Sequence, residues 1–296
     1  MHTSDAPPVA VAAEGVSHRY GATTALRECS FSVPAGAVVA LLGRNGAGKS
    51  TLMRAIVGLL RPESGRVDVF GQPISAEVLP RVGYVAQQAP LYPMLTVAQT
   101  LRLGARLNPR WDDAYARRLV DAGALRPTAK VGSLAVGQRA RLALAMALGK
   151  RPDLLVLDEP LASLDPVART ELLGALMAAV AERGTTVLIS THVVADVQDV
   201  CDHVVVLGDG RVRLTAAVEP ALAEHRIAVG ATSDLGALDG LEVVERRRDG
   251  REFTALVRTA APGPDGVSWH RPTLEELLLG YLRAETPQPT REVSAA

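Results

Sequence analysis

The residues Gly43-Arg44-Asn45-Gly46-Ala47-Gly48-Lys49-Ser50-Thr51 fit G-x-x-x-x-G-K-[ST], a spacing suited to cradling phosphate. Gly43, Gly46 and Gly48 let the backbone turn tightly with its amides inward, and Asn45 and Thr51 complete the loop. The helix that begins there favours an anion at its N-terminus. In such a loop Lys49 reaches the β- and γ-phosphates and the Ser50 hydroxyl ligates Mg²⁺. A second constellation is the acidic pair Asp158-Glu159, which follows the aliphatic run Leu154–Leu157. Carboxylates at the end of a buried parallel strand lie where doubly wound sheets place their ligands. There Asp158 can hold Mg²⁺, and Glu159 can polarise a water for in-line attack on a γ-phosphate.

Three further side chains have open readings. His192 follows the apolar run Thr186–Ser190 and can donate a hydrogen bond to a γ-phosphate oxygen, or be an ordinary strand-end histidine. Gln87 closes the run Val82–Ala86; its amide oxygen can approach Mg²⁺ or the attacking water, or be solvated in a loop. Tyr20, ahead of the glycine loop, can stack on a purine base or be a half-buried tyrosine without special duty.

These groups need elements to position them. Ala37–Leu42 reads as a buried parallel strand, and Thr51–Leu60 as a helix with apolar residues at helical spacing and no proline until Pro62. Val9–Ala13 and Ala25–Val33 carry partial strand patterns, which predicts a small antiparallel sheet ahead of the loop. Arg66–Phe70 alternates as a half-exposed strand. From about 89 to 150 the pattern turns helical, with stretches at Val97–Leu107, Asp112–Ala122 and Gln138–Leu148, which predicts an inserted helical subdomain. Its leading loop, Ala89–Val97, is apolar; Leu91 and Leu95 either face a docking partner or pack internally.

The 296 residues suffice for one large and one small domain. Lysine plus arginine and aspartate plus glutamate balance at 32 each, so charge points to neither nucleic acid nor an anionic surface. No uncharged apolar run reaches the length of a membrane span despite a mean hydropathy of +0.14. Cys29 and Cys201 have no metal-ligand spacing and read as free thiols of a reducing compartment. Met1–Pro8 has no apolar signal core, so a cytosolic protein is expected.

In their order along the chain, Tyr20, Gly43–Thr51, Gln87, Leu134–Gln138, Leu154–Pro160, Ser163-Leu164-Asp165 and His192 resemble the ATP-binding cassette (ABC) ATPases, over roughly residues 9–215. The resemblance implies a P-loop α/β core with an antiparallel β subdomain and an inserted helical subdomain. It implies ATP and Mg²⁺ as ligands, Tyr20 as the adenine-stacking aromatic, Gln87 as the sensor of Mg²⁺ and of the membrane partner, and Glu159 as general base. Asp165 then belongs to the loop after the acidic pair, and His192 is the switch histidine. It also implies a head-to-tail dimer, a homodimer or a heterodimer, in which each ATP lies between one subunit's P-loop and the other's signature motif. A separate transmembrane permease subunit would hold the chain peripherally on the cytoplasmic face.

The signature departs from the family's Leu-Ser-Gly-Gly-Gln. Here it is Leu134-Ala135-Val136-Gly137-Gln138, which keeps Gly137 and Gln138 for nucleotide contact and lacks the serine hydroxyl and first glycine. Beyond about Thr215 the motifs stop. Arg226–Ala231, Leu241–Arg247 and Glu252–Val257 read as strands, with Asp249-Gly250 as a hairpin turn. Thr273-Leu274-Glu275-Glu276 is a capping box opening a helix to about Arg283. This α+β accessory domain, 216–285, resembles the extension of bacterial ABC export ATPases, which implies export; 286–296 reads as a disordered tail. The alternative is a soluble ABC ATPase acting on ribosomes or nucleic acid. The single cassette, the absent heptad insertion and the balanced charge favour transport. A GTPase is excluded by the lack of an Asn-Lys-x-Asp segment.

Overall fold

The structure is a computed structural model that describes residues 8–162 and 164–284. In chain order its first elements are β1 (Val9–Tyr20), β2 (Thr23–Pro34), β3 (Val38–Gly43), α1 (Lys49–Ile56), β4 (Ser64–Val69), β5 (Gln72–Pro73) and β6 (Val82–Val85). Next come α2 (Val97–Leu107), α3 (Asp113–Ala122), α4 (Val136–Gly149), β7 (Leu154–Leu157), α5 (Pro166–Arg183) and β8 (Thr186–Thr191). Strands β9 (His203–Gly208) and β10 (Arg211–Ala217) complete the first of two compact units, which divide between Ala217 and Val218.

The first unit is built on a six-stranded sheet of order β10-β9-β3-β8-β7-β6. All its pairings are parallel except the edge pair β9–β10. Every residue of β3, β7 and β8 is buried, as in aliphatic-rich parallel strands covered on both faces. Leu52, Met53 and Ile56 of α1 pack with Val39, Leu41, Val156 and Leu188 in one core. Parallel register brings the carboxyl ends together: Leu42 lies beside Thr191, Leu157 beside Ile189, and Val85 beside Leu157. The glycine loop, Gln87, Asp158 and His192 therefore leave the sheet along one edge.

The antiparallel sheet has order β2-β1-β4-β5. Its first two strands run well beyond the expected Val9–Ala13 and Ala25–Val33. Register shifts follow Ala13, and Gly15 has a φ of +60°, so bulges break the period-two pattern on which sequence reading relies. Helix α1 is shorter than expected. Gly58 (φ +75°) lets the chain turn back, with the Leu59 and Leu60 amides both donating to the Arg54 carbonyl.

Helices α2, α3 and α4 form the inserted subdomain around Val97, Leu101, Val120, Leu125 and Leu142. Thr96 and Gln99 cap α2 reciprocally, and Asp112 caps α3 through the Tyr115 amide. In the loop before α2, Leu91 packs against this core and Leu95 is half-buried, whereas Tyr92 and Met94 are 67% and 73% exposed. The outward apolar groups are therefore Tyr92 and Met94.

The second unit contains α6 (Val218–Ala223), β11 (His225–Ala231), β12 (Glu242–Asp249), β13 (Glu252–Arg258), β14 (Ser268–His270) and α7 (Leu274–Arg283). Its antiparallel sheet has order β12-β13-β11-β14. Asp249 pairs with Glu252, so the hairpin turn is Gly250-Arg251, one residue later than expected, with Gly250 at φ +59° in the first central position. The Thr273–Glu276 capping box opens α7. Both cysteines are free, and the buried Cys29 thiol donates to the Gly210 carbonyl. The expected leader-free N-terminus up to residue 7, Ser163 and the tail 286–296 lie outside the described residues.

Candidate functional site

The glycine loop joins β3 to α1 where other chain segments crowd it. A Cβ on Gly43 would stand 2.7 Å from the Leu207 carbonyl oxygen. One on Gly48, whose φ is +105°, would stand 2.5 Å from that of Ala25. Only glycine fits either place. Among the described residues no side chain caps the N-terminus of α1, an arrangement that suits an anion at its first amides. Lys49 is buried and donates to the carbonyls of Gly43 (2.8 Å) and Arg44 (3.3 Å).

Glu159 is the meeting point of the site. Its Oε1 lies 3.2 Å from Lys49 Nζ and 3.4 Å from His192 Nδ1, and its Oε2 accepts from Gln87 Nε2 at 3.3 Å. Three residues singled out in the sequence thus converge on the carboxylate of a fourth. Its backbone is unusual as well: φ is +47° for a non-glycine residue that precedes proline. The Glu159 amide is tied to Ser190 Oγ at 2.8 Å. Asp158, only 2% exposed, accepts from the same Ser190 hydroxyl at 2.9 Å, while its amide donates to the Val85 carbonyl. Burial, and then the Asp158 charge, push the neighbouring Tyr84 phenol above its ordinary pKa.

The remaining sequence-nominated residues stand around this centre. Ser50 and Thr51 lie in the first turn of α1. Tyr20 ends β1, is 45% exposed and meets the His18 ring edge-on at 4.8 Å. It pairs with Thr23 in the hairpin whose Ala25 carbonyl abuts Gly48, so it belongs to the P-loop's surroundings. Gly137 and Gln138 are in the first turn of α4, and among the described residues no hydrogen bond or ion pair joins them to the Glu159 cluster. The Gln138 side chain accepts from the Ala135 amide at 3.1 Å, but alanine has no hydroxyl to return the bond. Gly137 faces α5, where a Cβ would meet Ala168 at 3.2 Å. A shallow depression of about 270 Å³ there is lined by Ala135, Gly137, Gln138, Arg141, Asp165 and Glu171.

Sequence reasoning did not single out Ser190, nor the brace formed by Arg169, Asp196 and Thr191. Arg169 Nη1 bonds Asp196 Oδ1 at 2.8 Å, and the Thr191 hydroxyl reaches Asp196 Oδ2 at 3.4 Å, just before His192. The available signal was the pair of hydroxyl residues, Ser190 and Thr191, that follows three aliphatic residues at the end of β8.

The donor set of Ser50, Asp158 and Gln87 is all oxygen, as Mg²⁺ prefers. Among the described residues no cationic side chain pairs with the buried Asp158 carboxylate, and an uncompensated buried charge calls for a cation. The residues fit the ion.

The family model described as ABC transporter matches residues 26–162, and one described as AAA domain, putative AbiEii toxin, Type IV TA system matches 133–194. A Nod factor export ATP-binding protein I of Burkholderia orbicola is 36% identical, covering 72% of each chain. An aliphatic sulfonates import ATP-binding protein of Pseudomonas aeruginosa is 34% identical, covering 88% of this chain and 93% of that one. Among solved structures, cbiO1 from Clostridium perfringens, part of the ABC transporter complex cbiONQ, superposes with a TM-score of 0.62 at 33% identity over 73% of this chain and 92% of that one. With relatives at this identity and coverage, the chain belongs to the ATP-hydrolysing family of ABC transporter ATP-binding proteins.

Proposed function

We propose that the chain drives export through a separate transmembrane permease, hydrolysing Mg²⁺-ATP at the site centred on Glu159. The observation that carries this reading is the convergence of Lys49, Gln87 and His192 on that carboxylate. Phosphate oxygens compete with Glu159 for the Lys49 ammonium, so nucleotide arrival releases the carboxylate to act as base. Glu159 takes a proton from water as its oxygen attacks the γ-phosphorus. The bond to the bridging oxygen breaks, and ADP and phosphate leave. His192 donates to a γ-phosphate oxygen, and Tyr20 stacks on adenine. Ser50, Asp158 and Gln87 would hold Mg²⁺, which when bound offsets phosphate charge. Gly137 and Gln138 serve the partner subunit's nucleotide in a homodimer or heterodimer, across the face that carries Asp165.

No helix among the described residues is long and apolar enough to cross a membrane. A groove of about 450 Å³ lined by Leu79, Tyr84, Pro90, Leu91 and Met146 adjoins the loop bearing Tyr92 and Met94. An apolar groove beside two exposed large side chains suits a permease segment, which would place the chain peripherally on the cytoplasmic face. Relatives of nearly equal identity carry export and import names, so export rests on the C-terminal α+β unit alone. Action on ribosomes or nucleic acid gains no support from these relatives. The test is phosphate release by the purified full chain with its membrane partner. Turnover should require Mg²⁺ and Lys49, and persistence in Lys49→Ala would overturn the reading.

A further inference from the structure

We propose that Ser190 is a positioning residue that aims both carboxylates of the site, Asp158 toward the divalent cation and Glu159 toward water. The inference rests on the metal and base roles proposed above. Ser190 is fully buried in β8, among Val187, Leu188 and Ile189, where an aliphatic side chain would pack at no polar cost. Its hydroxyl does two things at once: it donates to Asp158 Oδ1 at 2.9 Å and accepts from the Glu159 amide at 2.8 Å. A single oxygen on β8 thus clamps the adjoining end of β7 at consecutive residues.

Each half of the clamp meets a separate need. Glu159 has a left-handed backbone (φ +47°) just before Pro160, a conformation that costs a non-glycine residue free energy and needs outside restraint. The bond to its amide is that restraint, and it fixes the direction in which the side chain leaves the sheet. Asp158 is a buried carboxylate with no cationic partner among the described residues. Holding one of its oxygens fixes the plane of the group and commits the other to a ligand. Partners of metal-binding carboxylates typically change metal affinity by about 10–100-fold when removed. The hydroxyl does not touch substrate, so it acts through Asp158 and Glu159.

The test is made on the full chain with ADP and Mn²⁺ as the metal probe, read by electron paramagnetic resonance. Ser190→Ala removes the oxygen, Ser190→Val also refills the volume, and Ser190→Thr keeps a hydroxyl. Ala and Val variants should bind Mn²⁺ about tenfold or more weakly with metal-free ADP affinity unchanged, and Thr should recover most of the loss. Asp158→Asn serves as the reference. If it weakens Mn²⁺ binding while both Ser190→Ala and Ser190→Val match wild type, the positioning role is wrong. If Asp158→Asn itself binds Mn²⁺ normally, the metal role fails first. A parallel loss of metal-free ADP affinity in both Ser190 variants would show a general structural part and would also overturn the proposal.

Discussion

The Lys49 ammonium donates to the Gly43 and Arg44 carbonyls and forms an ion pair with Glu159. Nucleotide must therefore exchange one anion for another at a buried ammonium. Such an exchange is favourable because phosphate accepts from the loop amides as well. Removing the ammonium deletes a charge-assisted hydrogen bond worth about 1.5–3 kcal/mol. Lys49→Ala should then bind nucleotide roughly ten- to hundredfold more weakly by titration calorimetry; unchanged affinity would show that Lys49 does not reach the phosphates. At this scale the sequence was most legible. Lys49, Gln87, Glu159 and His192 stand at strand ends or loop positions whose chemistry can be read from the residue types. Ser190 was not legible, because a hydroxyl in a strand shows its purpose only when the neighbouring strand is in register.

Helix α4 shows what one missing oxygen does to an element. Ala135 occupies its N-cap, where Gln138 supplies half of a reciprocal cap and nothing returns the bond. Ala135→Ser should stabilise the isolated chain by about 0.5–2 kcal/mol, seen as a higher thermal midpoint; no shift would mean that these amides are satisfied by water. Val136 is 55% exposed at the same turn and adds a branched side chain beside the proposed trans nucleotide. The double variant Ala135→Ser, Val136→Gly should raise ATP turnover several-fold in the reconstituted transporter; no gain would show that the altered signature does not limit the rate.

The loop before α2 turns Tyr92 and Met94 to solvent. Tyr92→Glu with Met94→Glu should release the chain from membranes and spare ATP binding, as followed by flotation. Equal recovery of wild type and variant would place docking elsewhere. Leu91 and Leu95 are poor sites for this test, since both are partly buried. Helix α2 has the span Val97–Leu107 expected from its helical pattern, and α7 opens at the expected Thr273–Glu276 capping box. Helix α5 is not among the elements named from sequence, although Asp165-Pro166 opens it and Gly184 closes it. Its alanines and leucines are spread around the helix, so no clean apolar stripe marks it. Strands β9 and β10 were missed too, since β9 takes its place by pairing with β3 and β10 by pairing with β9, and not by a local alternation.

At the scale of the molecule, the C-terminal unit has a pH-sensitive core of its own. His225 is buried, with Nδ1 against the Ala221 carbonyl at 2.7 Å and Nε2 against the Tyr281 hydroxyl at 2.9 Å. The carbonyl can only accept, so Nδ1 donates to it, and in the neutral ring Nε2 accepts from the Tyr281 hydroxyl. Burial lowers its pKa below the ordinary 6.5; the Ala221 bond and Glu224 and Glu242 oppose this, and Arg258 reinforces it. Because the folded pKa is the lower one, the neutral ring's contribution is complete above about pH 6.5 and is lost as pH falls toward the folded value. Protection factors of the β11 amides, which set exchange against its intrinsic pH dependence, should fall on acidification over that range, and His225→Gln should flatten the response. An equal response in both would assign the sensitivity to other groups.

In the proposed mechanism Glu159 acts as a base and not merely as Lys49's resting partner. Glu159→Gln keeps the shape and the hydrogen-bonding reach toward Gln87 and His192 but cannot accept a proton at neutral pH. ATP turnover by the assembled transporter is the measurement, with nucleotide binding followed in parallel. The structure predicts ATP binding at or above the wild-type level and a turnover loss of about 10²–10⁴. Hydrolysis by Glu159→Gln at the wild-type rate would contradict it.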